Sequence, residues 1–292
     1  MTTIAAVTQE TASARRDRSI RRPVRDRVAG APISWGVCEV PDWGYQLDAE
    51  TVLTQMRELG LAATEFGPAG FLAADPSTRA DQLLSYGLGA VGGFLPVLLH
   101  DPDHDPLPEV EHFIDDCLAT GAEVVVLAAY SGVEGYDERP VLDDDGWDAL
   151  LGHLDRIADH ATSRGVVAAL HPHVGTMIET GEETERLLAG SRVGLCVDTG
   201  HLLVGGVDPV ALTAAYPARV VHVHLKDVDA ERRWRPLGDG VVPLAAVLDD
   251  LRARGYAGWL VVEVPHEPGD LTAALRDAEA DRERLRDLGV DA

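Results

Sequence analysis

Carboxylate and imidazole side chains follow several apolar segments of this chain, at the point where each segment ends. The clearest example is VGLCVDTGHLLVGG, residues 193–206, in which an apolar run ends in Asp198 and His201 follows three residues later. The other segments that end in this way supply Glu65; His171 and His173; His222, His224, Lys226 and Asp227; and Glu263. Aspartate, glutamate and histidine are side chains that bind divalent ions such as Mn²⁺, Co²⁺, Zn²⁺ and Fe²⁺.

Each of these residues taken alone has an ordinary structural interpretation. A histidine at a segment end is more often hydrogen-bonded within the protein than bound to a metal. Asp198 followed by Gly200 is typical of a turn. However, carboxylates or imidazoles end four segments in succession, and burying several unpaired ionisable groups together is costly without a compensating cation. We therefore predict a divalent metal site.

Lys226 is the only lysine in a chain with 25 basic residues. A chain that prefers arginine could retain one lysine by chance. Alternatively, the site requires a compact ammonium, which the planar guanidinium of arginine does not replace. Both interpretations stay open, and Lys226 is a candidate for catalysis or substrate binding.

Alternating apolar and amphipathic segments predict the elements that position these residues. From Ala31 onward, short apolar runs alternate with segments whose apolar residues recur at helical spacing, which is typical of βα units and a parallel sheet. The predicted strands are residues 31–36, 62–67, 89–99, 123–129, 166–171, 193–198, 220–225 and 259–264. Eight strands in about 260 residues predict an α/β fold, a single (β/α)₈ TIM barrel, for which about 250 residues are typical.

A doubly wound open sheet is the alternative fold, but the GxGxxG turn typical of many such sheets is absent after the first predicted strand. In a barrel, the carboxyl ends of all strands face one mouth, where active sites are built. The first strand would then bring Trp35 and Glu39 towards a substrate, although an aromatic residue such as Trp35 is more often part of the core.

Composition excludes several classes of partner. The chain has 46% hydrophobic residues and a formal net charge of −24, which disfavours binding to nucleic acid or anionic membranes. Its three cysteines are too dispersed for a disulfide framework, which fits a reducing cytoplasm. Residues 1–28 lack the apolar region of a secretory signal, and we interpret them as a flexible tail before a barrel domain of residues 29–292.

Several motifs resemble those of the xylose-isomerase-like TIM barrels, the sugar phosphate isomerase and epimerase superfamily. They are CVDTGH (196–201), VVHVHLKD (220–227) and PLGDGVVPLAAVLDDLRARGYAGWLVVEV (236–264). APISWG (31–36), AATEFG (62–67) and HPHVGTMIET (171–180) make the chain most similar to the inosose dehydratases of that superfamily. The likeness extends from about residue 31 to about residue 265.

The resemblance implies a metal held by residues that end strands five to eight. Mn²⁺ and Co²⁺ are the first candidates, with Mg²⁺ and Zn²⁺ as alternatives. The implied ligands are His171 or His173, Asp198, His224 and Glu263, with His201 near the substrate. Many relatives are dimers or tetramers, so the resemblance also implies a homo-oligomer.

One departure from the family pattern bears on mechanism. Many epimerases of the superfamily have a glutamate on strand five, where this chain has histidine, so a two-glutamate epimerisation is disfavoured. Loss of water from a keto-inositol or related keto-sugar needs one base and one acid, with the metal stabilising the enediolate that forms when the α-proton leaves. We predict Glu263 or Glu65 as the base, and His201 or Lys226 as the acid or as a substrate-orienting group.

Three other functions compete with this metal-dependent lyase. A sugar or ketose isomerase or epimerase would share the fold and the metal. An endonuclease for damaged DNA is disfavoured by the negative charge. A non-catalytic sugar-binding barrel would need no metal. Substrate choice would depend on loops such as residues 130–146.

Overall fold

The computed structural model describes residues 27–38, 44, 46–133, 138–264 and 271–290. Within these ranges, nine short strand segments form one parallel sheet. They are β1 Val28–Gly30, β2 Ala63–Thr64, β3 Gly89–Ala90, β4 Gly92–Val97, β5 Val124–Ala129, β6 Val167–Leu170, β7 Gly194–Asp198, β8 Val220–Leu225 and β11 Leu260–Val262. They follow one another around a ring in the order β3, β2, β1, β11, β8, β7, β6, β5, β4. A separate antiparallel hairpin consists of β9 Asp227–Val228 and β10 Trp234–Arg235.

The ring closes because β3 and β4 are two parts of one barrel strand. β3 pairs with β2, and β4 pairs with β5. Val91 joins the two parts: its N–H donates to the Thr64 carbonyl at 3.0 Å, and its own carbonyl accepts from the Glu123 N–H at 3.1 Å. The predicted (β/α)₈ TIM barrel is therefore confirmed for the described part of the chain.

The first strand lies earlier in the chain than we predicted. β1 ends at Gly30, whereas Pro32–Trp35 form a 3₁₀ turn that ends at Gly36, where φ is 69°. Proline has no N–H to give to a sheet, and its fixed φ suits the first residue of a helical turn. Val28 already belongs to β1, and residues 1–26 of the predicted tail lie outside the described residues.

Helices follow most of the barrel strands and cover the outside of the ring. They are α1 Ala49–Glu58, α2 Pro76–Ser85, α3 Leu107–Thr120, α4 Asp144–Arg164, α5 Gly181–Gly190, α6 Thr199–Val204, α7 Pro209–Ala215, α8 Leu244–Ala253 and α9 Leu271–Asp287. Several begin at an aspartate whose carboxylate accepts backbone N–H groups, as Asp48 and Asp208 do, because the first N–H groups of a helix have no partner within it. None of the described helices is long and apolar enough to cross a membrane.

Side chains of each strand alternate between the helices and the barrel interior. On β7, Leu195 and Val197 belong to the large core between sheet and helices, whereas Cys196 belongs to a smaller interior cluster with Val126 and Ala169. His222 on β8 pairs in register with Cys196 and therefore also points inward. The interior thus combines small apolar side chains with buried imidazoles.

Gly92, where β3 passes into β4, provides a test of barrel closure. Its φ is 136°, and a Cβ there would overlap the Val124 carbonyl oxygen. We expect Gly92→Ala to lower the free energy of unfolding by about 3 kcal/mol or more, because it combines a backbone clash with a conformation that alanine avoids. Urea unfolding measures the change.

The matched control is Gly121→Ala at the end of α3. Gly121 also has a positive φ, 77°, but no atom lies within 4 Å of the position of the new Cβ. This variant should cost only about 1 kcal/mol. Equal losses in the two variants would contradict this explanation of the closure.

Candidate active site

Four strands bring their carboxyl-terminal residues together at the mouth of the barrel. His171 follows β6, Asp198 ends β7, His224 lies near the end of β8 and Glu263 follows β11. His224 is the register partner of Asp198, which places the two side chains on the same inward face of neighbouring strands. All four residues are buried.

The donor atoms of these four residues converge. His171 Nε2 lies 3.4 Å from Asp198 Oδ2. His224 Nδ1 lies 3.8 Å from the same oxygen and 3.4 Å from Glu263 Oε1. Among the described residues, His171 Nε2, Asp198 Oδ2 and His224 Nδ1 are buried and have no hydrogen-bond partner. Buried polar atoms of this kind are normally satisfied, so this donor set fits a divalent ion with nitrogen and oxygen ligands.

Asp198 is fixed by the start of α6. Its Oδ1 accepts the backbone N–H groups of Gly200 at 2.9 Å and His201 at 2.7 Å. Its Oδ2 is thereby directed at the other donor atoms. Although burial opposes ionisation, Lys226, His201 and His171 hold the pKa of Asp198 well below its usual value, so the carboxylate is charged and available to a cation.

Lys226 supplies a positive charge at the mouth of the barrel. Its ammonium Nζ lies 2.7 Å from Glu263 Oε2 and 3.3 Å from Asp198 Oδ2, and only 1% of the residue is exposed. The Lys226 backbone is also anchored, because its carbonyl accepts from Thr199 Oγ1 at 2.6 Å and its N–H donates to the same hydroxyl at 2.9 Å. Lys226 is thus part of the predicted site.

His173 and His201 form a stacked pair beside the four converging residues. Their ring centroids lie 3.7 Å apart. His173 Nδ1 lies 2.6 Å from the Val174 carbonyl, so it carries a proton. His201 Nδ1 accepts the Val174 N–H at 3.3 Å, so the proton of its neutral ring lies on Nε2. Burial first, and the positive charges that the neighbouring imidazole and Lys226 would add, hold the pKa of both histidines well below the usual value.

These contacts distinguish His171 from His173, the two histidines after β6 that the sequence left as alternative metal ligands. His171 directs Nε2 at Asp198, whereas His173 contacts the Val174 carbonyl and stacks on His201. The geometry therefore favours His171 as the candidate ligand and places His173 with His201 on an adjoining wall.

Glu65, directly after the second barrel strand, is buried beside His222 and His224. Its Oε1 is 3.0 Å from Nε2 of His222 and 3.0 Å from Nε2 of His224. Burial alone would raise the pKa of Glu65, but the two imidazoles outweigh burial and lower it. The carboxylate is therefore ionised and occupied by two N–H donors.

Two further groups of side chains within metal-binding distance share His224. One is Glu65, His222 and His224, and the other is His171, Cys196 and His224. Burial raises the pKa of Cys196 to about 11, so its thiol stays protonated, and the thiolate is the form that binds metals. The group that contains Cys196 is therefore a weaker candidate for a cation than Asp198, His224 and Glu263, with His171 beside them.

The structure does not bring Trp35 to these residues. Its indole N–H donates to Gln55 Oε1 of α1 at 2.6 Å, and its ring belongs to the core outside the barrel. A cavity of about 80 Å³ at the mouth is lined instead by Phe94, Glu65, His171, His173, Lys226 and Glu263, among others. The predicted substrate contact Glu39 lies outside the described residues.

Sequence reasoning missed the aromatic residue that covers His201 and Lys226. Trp234, in the β9–β10 hairpin, has its ring centroid 4.7 Å from that of His201 and 5.2 Å from Lys226 Nζ. Gly200 allows this approach, because a Cβ there would lie 2.9 Å from the indole. The tryptophan follows LKD by seven residues, a spacing that gives no periodic signal.

Ionisable side chains at the carboxyl ends of barrel strands mark the position of active sites in TIM barrels. The fold and the site thus define an enzyme-type TIM barrel with residues that can hold a divalent ion. The chain belongs to the xylose isomerase-like TIM barrel family, whose model matches residues 41–288.

Comparisons with individual proteins agree with this assignment. The chain is 34% identical over 273 residues to the rhizopine catabolism protein MocC of Rhizobium meliloti, covering 83% of this chain and 82% of that one. It is 30% identical to the inosose dehydratase of Geobacillus kaustophilus, with coverage of 83% and 88%. The chain is therefore an enzyme, and the second of these relatives is a dehydratase.

A solved structure shares the same fold. It is that of the IolI protein with a bound zinc atom, with a TM-score of 0.68, 18% identity and coverage of 91% of this chain and 97% of the other. At this identity the likeness shows the fold alone.

The four converging donor atoms predict that a divalent ion stabilises the protein. Mn²⁺, Co²⁺ or Zn²⁺ at a hundredfold excess over its dissociation constant should add about 2.7 kcal/mol to the free energy of unfolding. Asp198→Asn should abolish this gain, because the amide can still cap α6 but replaces a charged ligand oxygen. Thermal unfolding with and without the ion measures both effects.

Asp208→Asn is the matched control for this experiment, because Asp208 caps α7 through the same kind of hydrogen bonds on the exposed surface. It should leave the stabilisation by the ion unchanged. Undiminished stabilisation of the Asp198→Asn protein would contradict the proposed ligand set.

The buried imidazoles also predict how the ion-free protein responds to acid. Burial lowers the pKa of His171, His173, His201 and His222 from 6.5, so below that pH the unfolded chain binds protons that the folded chain does not. The free energy of unfolding should therefore fall as the pH is lowered from 6.5 to about 5.5. At His224, burial is outweighed by the carboxylates of Glu263 and Glu65, which raise its pKa; His224 is protonated in the folded state throughout this interval and does not reverse the trend.

Urea unfolding at the two pH values measures the slope. His173→Gln should show a shallower decline than the original protein, because one of the histidines that resist protonation is gone. A stability that stays constant or rises on acidification would contradict the argument.

Proposed function

We propose that this chain is a divalent-metal-dependent lyase that removes water from a keto-inositol or a related keto-sugar. The observation that supports it is the Glu263–Lys226 pair at 2.7 Å, which provides a base and an acid side by side at the mouth. The residue that follows β6 is His171, an imidazole and not a second carboxylate. Names of the relatives agree with this chemistry, since one at 30% identity is an inosose dehydratase.

A cation would be held by His171, Asp198, His224 and Glu263, whose donor atoms converge and are buried. When bound there, a divalent ion supplies a Lewis acid that withdraws electron density from the substrate carbonyl. Side chains of the protein carry out the proton transfers.

Glu263 is the base in this proposal. It removes the proton from the carbon next to the substrate carbonyl, and the electrons of that C–H bond form a carbon–carbon double bond. The hydroxyl on the adjacent carbon leaves as its C–O bond breaks. Lys226 gives that hydroxyl a proton, so that water departs, and the enol left behind converts to a dione.

The short contact between Glu263 and Lys226 then allows both residues to return to their starting protonation states. Glu263 carries the proton taken from carbon and Lys226 has lost one, so transfer across the 2.7 Å contact regenerates the carboxylate and the ammonium. One base and one acid therefore complete the elimination without a second carboxylate.

His201 orients the substrate in this mechanism. Because Nδ1 accepts from Val174, Nε2 carries the proton of the neutral ring and can donate to a substrate oxygen. Burial keeps the pKa of His201 low, so the ring stays neutral at pH 7. Trp234 covers His201 and Lys226 and restricts the access of water to them.

The reaction product tests the proposal directly. The purified protein with added Mn²⁺, Co²⁺ or Zn²⁺ should convert the keto-inositol to a product lighter by one water, identified by mass spectrometry and by NMR in D₂O. A product of unchanged mass that has gained deuterium would instead identify an isomerase or epimerase, and no product with any ion would contradict both.

Lys226→Met tests the assignment of the acid in the same assay. It should lower kcat by about a hundredfold or more, which is the usual contribution of a general acid. Arg192→Met also removes one positive charge, but Arg192 pairs with Asp155 and Asp159 before the amino end of β7, at the end of the strand away from the mouth, and this variant should retain kcat. A Lys226→Met protein with unchanged kcat would exclude Lys226 as the acid.

A further inference from the structure

The buried carboxylate of Glu65 has no role in the elimination described above, although it lies within the same barrel. Only 3% of the residue is exposed. Its Oε1 accepts hydrogen bonds from two imidazoles at once, from Nε2 of His222 and Nε2 of His224, each at 3.0 Å. A buried carboxylate is expensive unless donors surround it, and these two N–H groups are the donors.

The two ring nitrogens of His224 therefore lie in different environments. Nε2 faces Glu65, and Nδ1 faces Asp198 Oδ2 at 3.8 Å and Glu263 Oε1 at 3.4 Å. A carboxylate can only accept, so the nitrogen directed at Glu65 must carry a proton. In the neutral ring, the other nitrogen then has a lone pair, and a metal ion binds to that lone pair.

We infer that Glu65 is a positioning residue: it holds the proton of His224 on Nε2 and thereby makes Nδ1 the atom that binds the cation. This inference rests on the cation site of the proposed function and assigns Glu65 a place in it. Carboxylates that hold a metal-binding histidine in this way fix both the proton position and the ring orientation, and their loss typically weakens metal binding by about ten- to a hundredfold.

Two other roles for Glu65 fit the geometry less well. As the catalytic base it would be weakened, because two N–H groups on Oε1 stabilise its ionised form, whereas Glu263 lies beside Lys226, the proposed acid. A metal ion held by Glu65, His222 and His224 would leave the buried atoms Asp198 Oδ2 and His171 Nε2 without a hydrogen-bond partner.

His222 provides the matched control, because it shares the Glu65 oxygen but contributes no atom to the group of Asp198, His224 and Glu263. Removing the acceptor should affect zinc binding, whereas replacing the second donor by another donor should not. Glu65→Leu removes the acceptor, Glu65→Gln retains one acceptor oxygen, and His222→Gln retains an N–H donor.

Isothermal titration with Zn²⁺ tests the inference through affinity. Glu65→Leu should weaken zinc binding by about ten- to a hundredfold, Glu65→Gln should restore part of the loss, and His222→Gln should stay within about threefold of the original protein. Unchanged zinc affinity in Glu65→Leu would overturn the inference. If that variant kept its zinc affinity and lost only turnover of the keto-inositol, Glu65 would be the base and the metal-dependent function would stand.

Nitrogen-15 NMR of the zinc-loaded original protein tests the same inference without any substitution, so a variant that fails to fold does not leave it unanswered. The expected spectrum shows His224 protonated at Nε2 and bound to zinc through Nδ1. Zinc on Nε2 would overturn the inference but not the proposed function. An original protein that binds no zinc, manganese or cobalt would overturn both.

Discussion

The active site depends on the different contacts that the two carboxylate oxygens of Asp198 make. Oδ1 accepts two backbone N–H groups at the start of α6, which fixes the carboxylate within the fold. Oδ2 faces His171, His224 and Lys226, and no hydrogen bond from the described residues satisfies it. A fully buried carboxylate held in this way requires positive charge nearby, and the surrounding residues are arranged around that requirement.

His224 connects two groups of charged side chains in the barrel. In the first group, Asp198 and Glu263 face the ammonium of Lys226. In the second group, the carboxylate of Glu65 is balanced by the N–H groups of His222 and His224. Small neighbours such as Ala169 and Cys196 leave room for these rings inside the barrel. The imidazole of His224 therefore connects the carboxylate of Glu65 to the carboxylates of Asp198 and Glu263.

The convergence of the candidate ligands could be predicted from sequence, because a barrel brings the ends of its strands together. Asp198, His224 and Glu263 each lie at or near the end of an apolar run, and parallel strands bring such positions to one mouth. The choice between His171 and His173 could not be predicted, because β6 ends at Leu170 and the alternation of side chains ends with it. The contact between Glu65 and His222 joins residues 157 positions apart, which no local spacing reveals.

Two further differences between the sequence prediction and the structure have local physical causes. The apolar run from Ala31 to Trp35 has the composition of a strand, but Pro32 and the left-handed Gly36 make it a 3₁₀ turn beyond the end of β1. Trp35 consequently packs against α1, and the aromatic residue near His201 is Trp234, which a hairpin outside the barrel sheet supplies.

Anomalous X-ray diffraction from crystals of the protein grown with Mn²⁺ or Zn²⁺, recorded at the absorption edge of the metal, tests the central claim most directly. We expect one strong anomalous peak bounded by His171 Nε2, Asp198 Oδ2, His224 Nδ1 and Glu263. A peak between Glu65 and His222, or no peak within the barrel, would contradict the account.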